Sequence, residues 1–243
     1  MNSFDLNELI FTALAVLITL TVHEYAHGYV AYKLGDNTAR NLGRLTLNPI
    51  KHLDPYGALC MVFFRFGWAK PVPINPRNFK NPRKGFALCA IAGPLANIIL
   101  AFISAFLYVL CDGLFNPSSI QYLYNLRYNV LLFLWVFHAV NVGLGVFNLI
   151  PIPPFDGSRI LNLILPPRAY FAIMRHEKKI YWGVILWLFL GNYVYSALLS
   201  IPFVANNGVL SGIASVFSLS MHLSNAIDFL SGVMIKFWTL LIF

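Results

Sequence analysis

Two histidines four residues apart, with a glutamate beside the first, form the most chemically specific stretch of this chain: His23-Glu24-Tyr25-Ala26-His27. On a helix, side chains at i and i+4 leave from one face a turn apart, so His23 and His27 can grip a single metal ion. Glu24 then lies where it can take a proton from a water on that ion, as in a zinc hydrolase. The run before it, from Phe11 to Val22, is almost wholly apolar and reads as a membrane-spanning helix. A charged residue at the centre of such a helix costs about 2.5–3.5 kcal/mol on insertion scales. A bound metal accounts for all three ionisable groups more cheaply than core histidines capped by carbonyls, with Glu24 paired to a distant cation.

A catalytic zinc takes three protein ligands and keeps one position open. The third is sought in a second costly polar stretch, Asn148-Leu149-Ile150-Pro151-Ile152-Pro153-Pro154-Phe155-Asp156-Gly157. Its three prolines break a helix, which at membrane depth is tolerated only where the backbone lines a cavity or is buried in protein. Asp156 follows at the end of the break, with Gly157 permitting a sharp turn, and is the expected third ligand to one Zn2+ per chain. Asn141 and Asn148, seven apart, share a helix face and are candidates for contacts to substrate. Asn97, in Ala92-Gly93-Pro94-Leu95-Ala96-Asn97, either hydrogen-bonds across packed helices or lines the site. His52 with Asp54 is an accessory or gating group, or part of a turn that Asp54 closes before Pro55. His138 and His222 read as satisfied membrane histidines and His176 as solvated.

The elements that position these residues are helices in a bilayer. The chain has 243 residues, 58% hydrophobic, 16% aromatic and 11% charged, with mean hydropathy +0.68; a soluble domain carries about 25% charged residues. The expected fold is an all-α polytopic membrane protein with spans over about 6–34, 84–111, 127–149, 179–204 and 209–237. A short apolar run over 57–68 fits a re-entrant or interfacial segment. The net charge of +8 follows membrane topology and gives no reason to expect nucleic acid. With alternating spans, 16 of the 17 lysines and arginines fall on one side and only Arg127 on the other. The positive-inside rule makes the crowded side cytosolic, the N-terminus outside and the C-terminus inside. His23, about 16 residues into the first span and so roughly 24 Å along it, sits toward the cytosolic leaflet, where Asp156 also returns. Cys60, Cys89 and Cys111 show neither a C-x-x-C pair nor a disulfide framework and read as small core residues. Three X-Pro steps over 70–76 favour extended backbone beside the site, which could pair with an unwound peptide segment.

These residues resemble the site-2 proteases, intramembrane zinc metalloproteases. The likeness rests on His23-Glu24-Tyr25-Ala26-His27 and on Asn148 to Gly157, in that order and separation. Gly67-Trp68-Ala69-Lys70-Pro71-Val72-Pro73 and Gly93-Pro94-Leu95-Ala96-Asn97 are similar to the same stretches of compact prokaryotic members. The resemblance covers about 6–162 and implies zinc on His23, His27 and Asp156, Glu24 as catalytic base, and Asn148 near substrate. It further implies a transmembrane protein substrate and a prokaryotic inner membrane. The outward loops are too short for the PDZ insertion of some relatives, and the cytosolic CBS module of others is not expected. The whole chain, 1–243, reads as one membrane-embedded domain: a catalytic core over about 6–162, then further helices over 163–243. Two other readings of the same ligands are a metal transporter and a zinc-binding scaffold without catalysis. The apolar outward halves of the spans, such as 98–110, offer a transporter no polar path.

Overall fold

A computed structural model describes residues 6–57, 68–114, 121–215 and 218–243. Three long helices form its centre: α1 (Leu6–Lys33), α2 (Pro82–Leu114) and α3 (Gln121–Leu149). Their buried residues recur every fourth position. On α1 the stripe is Ala15, Thr19, His23, His27 and Ala31; on α2 it is Gly85, Cys89, Gly93, Asn97, Ala101, Ala105 and Val109. Rows of i±4 side chains are the ridges that interdigitate when helices pack. Small residues along α2 let a neighbouring backbone come close, the usual device where lipid supplies no hydrophobic drive. Gly145 of α3 shows how close: a Cβ there would stand 2.8 Å from Ile98 Cδ1.

After α3 the chain breaks at Pro151–Pro154 and restarts as two short helices, α4 (Gly157–Ile164) and α5 (Pro167–Arg175). Gly157 is required by space, since a Cβ would lie 2.3 Å from the carbonyl oxygen of Leu149. Phe155 folds back onto Phe147 with ring centroids 4.2 Å apart, which returns Asp156 toward α1. The Arg83 guanidinium on α2 donates to the carbonyls of Asn162 and Leu165 and fixes the far end of α4. The longer helices that follow among the described residues are α6 (Glu177–Leu199), α7 (Gly208–Ser215) and α8 (Leu219–Ile242), with a single helical turn at Pro202–Ala205 between the first two. The Trp238 indole N–H donates to the Phe102 carbonyl and ties α8 to α2.

By length and composition four helices can cross a membrane, or five when α6, bent by 47°, counts as one span. The expected first four spans coincide with α1, α2, α3 and α6. The last does not run unbroken over 209–237. Instead α7 ends at Ser215, Ser218 is non-helical, and α8 starts at Leu219 and continues to Ile242. The expected short segment over 57–68 lies almost wholly outside the described residues, as does Cys60. Among the described residues the only strand-like pairing is the isolated bridge of Leu53 with Ala69.

That bridge opens an extended strap, residues 68–75, laid against α1. The His52 carbonyl accepts from the Lys70 N–H at 2.8 Å, and the Arg44 guanidinium donates to the Lys70 carbonyl at 2.7 Å. At the other end the Asp36 carboxylate accepts from the Asn75 N–H at 2.7 Å, from the Asn78 amide, and from the backbone and hydroxyl of Thr38. Burial works against the Asp36 charge, but these four donors outweigh it and hold its carboxyl below the ordinary carboxylate value.

Candidate metal centre

The long separation in sequence closes at one point. His23 Nε2 and His27 Nε2 lie 3.1 and 3.2 Å from Asp156 Oδ2, and 3.0 Å from each other. Both histidines are buried, at 4% and 7% exposure, while Asp156 is half-buried. These are the only three His, Cys, Asp or Glu side chains among the described residues whose ligand atoms converge in this way. Zinc–nitrogen and zinc–oxygen bonds of about 2.0–2.2 Å in a tetrahedron set ligand atoms roughly 3.3 Å apart, and the observed triangle fits. The donor chemistry fits too. His27 Nδ1 is 2.6 Å from the Cys89 carbonyl oxygen, which can only accept, so Nδ1 carries a proton, and in the neutral ring the Nε2 lone pair faces the Asp156 carboxylate. Two acceptors turned on each other in a buried place call for a cation.

Close packing of α1 on α2 is what brings the rings there. Gly93 faces them both, and a Cβ at that position would lie 2.5 Å from His27 Nε2 and 2.6 Å from His23 Cε1. Glu24 leaves α1 beside the ligands, and its Oε2 accepts from the Val72 N–H at 2.7 Å. The Val72 side chain seats on the bare backbone of Gly28, where a Cβ would be 3.1 Å from Val72 Cγ1. The strap thus fixes the carboxylate by its main chain.

The three ligand candidates and Glu24 line a cavity of about 790 Å³. Its other walls are largely apolar, with Val72 and Ile74 from the strap and Phe147 and Asn148 from α3. Asn148 therefore faces the cavity, its amide donating to the Leu144 carbonyl at 3.1 Å. Asn141, one face-repeat earlier, is fully buried, donates to the Phe137 carbonyl and does not line the cavity. Asn97 is also fully buried, against His23 at 3.0 Å, behind the cavity wall. His52 lies under the strap with Nε2 2.8 Å from the Thr46 carbonyl oxygen, outside the cavity lining. The Asp54 carboxylate accepts from the N–H groups of Tyr56 and Gly57, which is the turn weighed for it.

Sequence reasoning did not single out Val72 or Arg159. Arg159 lines the cavity while pairing with Glu177 at 2.7 Å and lying over the Phe86 ring; in the sequence it was one more cytosolic charge. His138, expected to be a satisfied histidine, is buried with Nδ1 2.9 Å from the Ala101 carbonyl oxygen, but its Nε2 has no hydrogen-bond partner, so only one of its two ring nitrogens is satisfied.

Comparison with known proteins gives a consistent picture. The family model described as peptidase family M50 matches residues 11–191. YwhC of Bacillus subtilis (strain 168) is 40% identical over 202 residues, which cover 81% of this chain and 89% of YwhC. Rip2 of Mycolicibacterium smegmatis is 27% identical, covering 70% of this chain and 62% of Rip2. Zinc metalloprotease MJ0392 of Methanocaldococcus jannaschii is 29% identical over 65% of this chain and 36% of its own length. No solved structure matches.

Proposed function

The chain belongs to peptidase family M50, and from that premise we propose that this integral membrane protein is an intramembrane zinc endopeptidase. It would hydrolyse a peptide bond within or near a transmembrane helix of another protein. The observation that carries the reading is the convergence of His23, His27 and Asp156, with Glu24 beside them, on one apolar cavity. The core over 6–162 supplies every one of these groups, and 163–243 adds further helices. The basic loops argue for a cytosolic C-terminus and an outside N-terminus, and the likeness to compact prokaryotic members of the family supports a prokaryotic inner membrane.

When bound by His23, His27 and Asp156, zinc polarises the scissile carbonyl and lowers the pKa of water toward about 7. The work of this chain's own residues follows from their placement. Glu24 takes a proton from the attacking water, holds it on its carboxyl, and delivers it to the leaving amine nitrogen. The Val72 N–H keeps the carboxylate turned to that task. Apolar walls exclude bulk water, and the extended strap offers main-chain groups to an unwound peptide, as an edge strand does. Asn148, on the opposite wall, supplies a polar contact for the peptide backbone.

The test is cleavage of single-pass helices in detergent by the wild type and by Glu24→Gln, with bound zinc measured in both. Zinc in both and a rate at least 10²–10⁴-fold lower in the variant is expected for loss of a general base. Undiminished cleavage by the variant would overturn the assignment. Zinc flux through proteoliposomes without cleavage would support a transporter instead.

A further inference from the structure

The helix α2 meets the two histidines of α1 in two different ways. Cys89, Gly93 and Asn97 are spaced by four and form one stripe of α2. Gly93, in the middle, leaves room for both rings, and its neighbours on the stripe each reach one Nδ1. The Cys89 carbonyl can only accept, which fixes His27 with its proton on Nδ1. Asn97 presents its amide nitrogen to His23 Nδ1 at 3.0 Å, and its Oδ1, fully buried, has no hydrogen-bond partner. An amide N–H donating to Nδ1 forces the ring proton onto Nε2, where it points at Asp156 and blocks ligation. An orphaned buried carbonyl oxygen is also unfavourable, since it has given up water without gaining a donor. Turning the amide by half a rotation puts Oδ1 on Nδ1–H, which gives that oxygen its partner, and frees the Nε2 lone pair.

We propose that Asn97 is the positioning residue of His23, accepting from its Nδ1–H so that Nε2 is held as a metal ligand. The proposal rests on the metal reading above. Metal-bound histidines generally hold the proton of the second ring nitrogen on a carboxylate, carbonyl or water. In this protein both histidines would then be oriented by one stripe of α2: His27 by the Cys89 main chain, His23 by the Asn97 side chain.

The test compares the full-length detergent-solubilised wild type with Asn97→Asp and Asn97→Leu. Zinc affinity is read by competition with a chromogenic chelator, and the His23 tautomer by NMR of ¹⁵N-labelled histidine. Asn97→Leu, which cannot accept, should bind zinc 10–100-fold more weakly, as loss of such a partner does. Asn97→Asp keeps the acceptor and loses the donor, and should bind zinc at least as tightly as the wild type, with His23 protonated on Nδ1. An Asn97→Asp variant as weak as Asn97→Leu would overturn the proposal, since the donor would then be what matters. Wild-type affinity in Asn97→Leu would overturn it as well. Should Asn97→Leu fail to fold, the affinity of Asn97→Asp and the wild-type tautomer decide alone. A wild type that binds no zinc would refute the metal reading itself, which distinguishes that failure from this one.

Discussion

The two ends of this chain are about equally apolar yet are built on opposite plans. In α1, α2 and α3 the buried face carries polar groups: Thr19, His23, His27, Asn97, His138 and Asn141 are all at most 7% exposed. In α6, α7 and α8 few residues are buried at all, and large apolar side chains such as Phe229, at 70% exposure, face outward. Of the most apolar window of α2, 39% is buried, against 6% for α8. Apolar surface facing lipid costs nothing, whereas a polar side chain at that depth needs protein around it. Burial therefore marks where chemistry is kept, and hydropathy alone does not.

Perturbing the two regions should separate them sharply. The largest effect is expected from Asp156→Ala, which removes one of three ligand atoms: zinc measured after gel filtration should fall to background, with no cleavage. Gly93→Ala comes next, because its Cβ would overlap both imidazoles. Zinc affinity should drop at least tenfold, and melting should report roughly 1–3 kcal/mol of destabilisation from overpacking. Asp36→Asn loses an acceptor for the Asn75 N–H and should cost about 1–3 kcal/mol. It also carries a pH signature. A carboxyl held below its ordinary value contributes stability above that value and loses it as pH falls through the lowered one. The melting-temperature gap between wild type and Asp36→Asn should therefore narrow in acid. The smallest effect is expected from Phe229→Leu in α8, within about 0.5 kcal/mol and with unchanged zinc. If it alters zinc binding, the contrast between the two regions is wrong.

Much of this was readable in one dimension because the constraints are one-dimensional. Two histidines at i and i+4 share a face wherever the helix lies, and a proline-broken helix ending in Asp156 must be housed by protein. The spans α1, α2, α3 and α6 likewise follow from unbroken apolar length. What escaped was carried by neighbours distant in sequence or by main-chain atoms. Nothing in Val72 as a residue type announces that its N–H will hold Glu24. Gly93 and Asn97 read as packing residues, and their meeting with His23 and His27 depends on the register of α2 against α1. A signal was present in the four-residue spacing of Cys89, Gly93 and Asn97, which repeats that of His23 and His27. The break between α7 and α8 was missed because a single serine such as Ser218 barely lowers the mean hydropathy of a long window.

The strap over residues 68–75 has a mechanical consequence. It is pinned by Arg44 and His52 at one end, by Asp36 at the other, and by Glu24 between them. Every pin belongs to α1 or to the loop that leaves it. Helix and strap are therefore tied together, and a tilt of α1 carries Glu24, both imidazoles and the strap backbone with it. The third ligand stands on the opposite frame, at the foot of α3. Widening the cleft along that seam would pull Asp156 away from the histidines, so opening the cavity and spreading the triangle of His23, His27 and Asp156 are one motion.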